Sequence, residues 1–153
     1  NHKFTFQNPP TKFLKGEIEK YVEWMLWLAE TSPMLQINSV NLTAVEKNKF
    51  VRLDAEIQNI GYLPTNITER AIEVNLNQPV RAILELENAE LISGNKRTDL
   101  GHIVGKRDSE DSASDSKKTI SYAIKISGPK ATAKLTVQSE KAGTVSKTID
   151  LNP

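Results

Sequence analysis

At 153 residues the chain is long enough for one compact domain and a short extra element, and too short for two full domains. The absence of cysteine excludes disulfides, thiolate metal sites and cysteine nucleophiles. Lys and Arg number 20 against 19 acids, so a formal charge of +1 supplies no broad field to draw in nucleic acid or an anionic membrane.

The opening residues, Asn-His-Lys-Phe, carry no charged and apolar leader, so no targeting signal is expected there. Asn8-Pro-Pro-Thr11 predicts an extended entry with Thr11 as helix N-cap. From Lys12 to about Thr31 the spacing is helical. Ile18, Val22, Met25 and Ala29 share one face, which Tyr21, Trp24 and Leu28 widen, and Glu17, Glu19, Lys20, Glu23 and Glu30 take the other side. Pro33 stops the helix. Its longest apolar run, Trp24 to Ala29, is far short of the roughly 20 residues that cross a bilayer, so no membrane span is expected.

After Leu35 the period becomes two. Val40, Leu42 and Ala44 alternate with polar residues, as do Val51 to Ile57, Val80 to Leu86, Ile120 to Ile126 and Ala131 to Val137. Leu91-Ile92 and Leu100 to Val104 read as two shorter strands. Val145, Ile149 and Leu151 mark a last one after the turn Glu140-Lys-Ala-Gly143, with Lys147 at an edge or bulge. Seven or eight short strands without a helix-length crossover predict a mainly β fold: an antiparallel two-sheet β-sandwich, immunoglobulin-like in form, preceded by one amphipathic N-terminal α-helix. The division falls at residues 1–34 and 35–153. The Ser/Asp-rich tract 106–118 reads as a mobile surface loop.

Chemistry is scarce in this pattern. His2 and His102 open no His-x-x-Glu pair, and His102 reads as a half-buried strand residue rather than a zinc ligand. Asp108, Glu110, Asp111 and Asp115 lack the spacing and glycine of a calcium loop. No Gly-x-Ser-x-Gly elbow or phosphate-binding glycine loop occurs. Asn41-Leu-Thr43 and Asn66-Ile-Thr68 match the glycosylation pattern, as short patterns do by chance. The expected cofactor content of these residues is none, and no nucleic-acid groove is expected.

Two stretches stand out. The helix carries Tyr21, Trp24, Met25, Trp27 and Leu28 over more than one face, more apolar surface than a small sandwich covers, and docking on its own sandwich stands equally beside packing on a larger neighbouring body or a homodimer through the helix. Ile60-Gly-Tyr-Leu-Pro-Thr-Asn-Ile-Thr-Glu-Arg-Ala71 reads as an ordered connection between sheets, with Thr65 or Asn66 capping a helical turn through Glu69 to Ala71. Tyr62 and Arg70 are interface candidates, set against the structural reading of Tyr62 as a buried corner residue bonded to backbone.

Phe6 to Lys20 with the Trp-rich helix resembles the closing segment and last helix of the catalytic domain in bacterial zinc metallocarboxypeptidases of the carboxypeptidase A type. Gln58 to Thr65, Thr68-Glu-Arg-Ala71 and Gly101-His-Ile-Val-Gly105 resemble the β-sandwich appended to some members, while 106–118 stays unmatched. The resemblance implies a noncatalytic C-terminal accessory domain, partnered by a preceding catalytic domain of the same polypeptide that would hold the zinc, and it leans towards a periplasmic or secreted setting. No residue here matches the family's zinc ligands or general base, so this segment alone is expected to be inactive. Against this stand an independent binding module for glycan or cell-wall polymer, with Tyr62 and Tyr122 as the aromatics in the sandwich, and a self-associating domain.

Overall fold

The structure, a computed structural model, describes residues 2, 3, 7–46, 49–106 and 115–152. They fall into two units, Asn1–Thr31 and Ser32–Pro153, each treated by itself below.

The first unit is helix α1, Thr11–Glu30. Its N-cap is Pro10 rather than the expected Thr11: Pro10 holds ψ at 142°, so the first helical residue comes one place later and no side chain caps the free amides. The Pro10 carbonyl accepts from Phe13 N at 2.8 Å. At the other end Thr31 Oγ1 donates to Leu28 O at 2.7 Å. None of the described helices is long and apolar enough to cross a membrane.

The second unit is a sandwich of two antiparallel four-stranded sheets. One has the order β1 (Leu35–Glu46), β2 (Phe50–Asn59), β6 (Lys117–Ile126), β4 (Ala89–Ser93), and the other β5 (Arg97–Gly101), β3 (Val80–Glu87), β7 (Thr132–Ser139), β8 (Gly143–Asp150). This is the mainly β, immunoglobulin-like sandwich expected from the alternation, with the strand order now defined. Alternate residues of each strand face inward. Val51, Leu53, Ala55 and Ile57 from β2 meet Tyr122 and Ile124 from β6, and Val80, Ala82 and Leu84 from β3 join Ala133, Leu135 and Val137 from β7.

Two departures from strict alternation have local causes. In β1 the inward set shifts from Leu35 and Ile37 to Val40 and Leu42 because Asn38 is an extra residue in the ladder to β2. Its Nδ2 donates to Glu56 Oε1 and Gln58 Oε1 at 2.9 and 2.6 Å, which holds the bulge in place. Asn88, at φ 52°, turns the chain from β3 in one sheet directly into β4 in the other, and its carbonyl accepts from Ser127 N at 2.9 Å.

The expected strand Leu100 to Val104 lies earlier, at Arg97–Gly101. Gly101 at φ 71° ends the ladder, and Ile103 turns inward to full burial. His102 is therefore outside the strand, half-buried, with Nδ1 lacking a hydrogen-bond partner among the described residues. Lys147 stands in β8 at the edge of its sheet, as expected. The edges are guarded by that lysine, by the bulge in β1 and by the shortness of β4 and β5. In the tract 106–118, Lys117 and Lys118 belong to β6, and residues 107–114 lie outside the described residues, so neither a loop nor a calcium site is placed there.

Candidate functional site

The connection from β2 to β3 passes from one sheet to the other, and its anchor is Asn59 at the end of β2. Alternation along the strand points Ile57 and Asn59 inward, Asn59 being completely buried, and the out-of-phase Gln58 is buried as well. A buried amide needs its full set of partners. Asn59 Oδ1 accepts from Met34 N at 3.0 Å and Gly61 N at 3.1 Å. Its Nδ2 donates to Leu63 O at 2.8 Å and is shared between Ile103 O and Val104 O at 3.3 Å each. One side chain thus ties together the entry to β1, the connection and the stretch after β5.

The same junction is closed by backbone. Ile60 N donates to Met34 O at 2.8 Å, and Lys106 N to Gly61 O at 2.8 Å. Thr65, also buried, donates its N–H to Ile103 O at 3.0 Å while its Oγ1 accepts from Ile103 N at 2.9 Å. A Cβ at Gly61 would overlap the carbonyl of Ser32, and one at Gly105 would overlap the carbonyl of Tyr62. Glycine is needed at both places because three backbones approach there.

The short helical turn is α2, Glu69–Glu73. Its cap is Thr68, whose Oγ1 accepts from Ala71 N at 3.3 Å, not Thr65 or Asn66. Thr65 is taken by Ile103, and Asn66 is buried with Nδ2 donating to Thr68 O at 3.1 Å. That burial also removes Asn66 as a glycan acceptor in the folded chain. Ile67, a β-branched residue at φ 65°, carries backbone strain in the same turn.

Tyr62 is 66% exposed, which corrects the buried-corner reading. The carbonyl of Tyr62 is pressed under Gly105, and the ring is left pointing to solvent. Met34, Ile60 and Val104, from the three segments joined at Asn59, are exposed large apolar residues too. Arg70 is exposed and pairs with Glu73 at 2.6 Å. The buried tyrosine is instead Tyr122 in the core, where burial pushes the phenol up and its hydroxyl has no hydrogen-bond partner among the described residues. It is therefore unavailable as a glycan platform.

On α1, Tyr21, Trp24, Met25, Trp27 and Leu28 are all exposed, and no residue of the helix is buried. Lys20 pairs with Glu17 at 2.8 Å, a hydrogen bond and charge that raise the lysine pKa, and Lys15 lies 3.6 Å from Glu19. Among the described residues no group of three His, Cys, Asp or Glu side chains converges as a metal site.

Asn59 and Gly105 were the functional-looking residues that pattern reading missed. The signal for them was an Asn-x-Gly at the end of an apolar alternation together with a second glycine near a half-buried histidine, which marks close backbone approach but not its partner.

The fold and this junction define a two-sheet, immunoglobulin-like β-sandwich with a crosslinked end. The chain belongs to the family described as Domain of unknown function (DUF8731), whose model matches residues 34–150. No curated protein matches it. Among solved structures it is similar to the GAE domain of GGA2p from Saccharomyces cerevisiae, at 11% identity and a TM-score of 0.37, over 77% of this chain and 94% of that one. Neither description names a peptidase.

Proposed function

We propose that the chain is a noncatalytic accessory domain that packs onto a further body through α1. The observation that carries this reading is the width of the helix's apolar surface. At 100° per residue, the side chains from Phe13 round to Leu26 span roughly 220° of the circumference, broken by Lys15 and Glu17. A single sheet or one partner helix covers about half of such an arc, since a core-facing stripe is on the order of 100° wide. A body with at least two contact elements is the better fit, which places a simple helix-paired homodimer second.

The finer reading, that this body is the catalytic domain of a zinc carboxypeptidase, is supported by the resemblance of Phe6 to Lys20, Gln58 to Thr65, Thr68 to Ala71 and Gly101 to Gly105. In that setting the present residues bind no zinc and release no C-terminal amino acid. The test is a purified full chain assayed with a blocked dipeptide and with a hydrophobic dye. Expected are no chelator-sensitive hydrolysis, and dye binding that disappears when residues 1–31 are removed. Hydrolysis abolished by a chelator, or dye binding retained by residues 32–153, would overturn the reading.

A further inference from the structure

The outer face of the second sheet carries a polar row in register. Arg81 on β3 stands opposite Asp99 on β5 and Gln138 on β7, and Gln138 stands opposite Thr144 on β8. Where this row reaches the end of the sheet, Pro79 and the β7–β8 turn at Glu140 enclose a depression of about 320 Å³. That is at the lower end of ligand-pocket sizes, room for one small cyclic ligand rather than a peptide.

The polar groups in it are positioned but not all used. Arg81 is held from two sides, with Nε donating to Asp99 Oδ1 at 3.1 Å and Nη2 to Gln78 Oε1 at 3.0 Å, and its side chain is 27% exposed. Its Nη1, the Gln138 amide and the Thr144 hydroxyl have no hydrogen-bond partner among the described residues. Glu140 accepts from Gln78 N at 3.3 Å through one oxygen, leaving the other. Donors and acceptors therefore alternate around the depression.

Charge selects among ligands. Asp99 neutralises the Arg81 guanidinium and Glu140 adds a second carboxylate, so the set carries one net negative charge that disfavours a carboxylate or phosphate, while an ammonium group would still meet the guanidinium. A neutral polyol suits the set, because each hydroxyl both donates and accepts, and a ring's C–H face can lie on Pro79. We propose that this depression binds a single neutral sugar unit, independently of the packing role of α1.

The test is amide NMR of the full chain titrated separately with glucose, galactose, mannose and N-acetylglucosamine, with acetate as anion control. Expected are saturable shifts at Arg81, Gln138 and Thr144 with at least one sugar, with Kd on the order of millimolar, as befits a small exposed site. Gln138→Ala with Thr144→Val should weaken that binding about tenfold, the loss of two hydrogen bonds, with an unchanged melting temperature. Absence of saturable shifts with every sugar, equal shifts in the double variant, or acetate binding as tightly at the same amides would overturn the proposal.

Discussion

Gly105 lies so close against the carbonyl of Tyr62 that no side chain fits between them. The contact belongs to the junction where Met34, Gly61 and Ile103 meet around Asn59, so relief of a clash there would have to move several hydrogen-bonded backbones together. Gly105→Ala is expected to destabilise the sandwich by about 3 kcal/mol or more, the scale of a buried steric insertion. Gly16→Ala, on an exposed face of α1 with open space around it, should be neutral or slightly stabilising through helix propensity. Urea unfolding of the two variants checks the contrast, and similar midpoints would contradict it.

Removing the Asn59 side chain strands several groups in one step. Asn59→Ala leaves the N–H groups of Met34 and Gly61 and the carbonyl of Leu63 without their partner. A loss of about 3–4 kcal/mol is expected, since each buried group left unsatisfied costs on the order of 1–3 kcal/mol and some will find water. Hydrogen exchange should show the cost locally, with protection falling first at Met34, Gly61 and Thr65. A uniform loss across both sheets would show that the junction does not act as a unit.

Acid should weaken the first sheet through two carboxylates on its outer face. Asp54 is held below the usual range first by the Ser121 hydroxyl and then by Arg52, and Glu56 by Asn38 and Lys117. A carboxylate whose folded pKa lies below its unfolded one adds stability above the unfolded value and gives it up as pH falls through the folded one. Stability is thus expected to be flat from neutral pH to about 5 and to fall below about 4. Asp54→Asn with Glu56→Gln should flatten part of that fall, moderated because both groups are partly exposed and screened by solvent. An unchanged acid slope in the double variant would contradict the assignment.

Much of the architecture was legible because the inward rows are plain alternations, as in Val51-Leu53-Ala55-Ile57. What hid from pattern reading was tertiary. The bulge at Asn38 changes which residues of β1 face inward, and nothing local distinguishes Asn38 from Asn41. Asn59 continues the inward row of β2 as its one polar member, and the partners that satisfy it there include carbonyls 44 and 45 positions away, which no local pattern reveals. Tyr122 sits in the inward row of β6 where the alternation puts it, whereas Tyr62, in an irregular connection with no period to read, has its ring exposed rather than buried in a corner. The helix was read correctly in extent, and its cap was displaced by one residue because proline fixes the entry.

The wide apolar arc of α1 can be interrogated directly through Trp24, which lies within it, once Trp27→Phe removes the chain's other tryptophan, which lies on the same helix outside the arc. Acrylamide quenching of tryptophan emission, measured on the full chain at a dilution where light scattering reports a monomer, is the decisive measurement. Expected is red-shifted emission readily quenched by acrylamide, as for a tryptophan more than half exposed to water. Blue-shifted emission shielded from acrylamide in the monomer would mean that the helix is already covered within these residues, and the packing role proposed for it would fall.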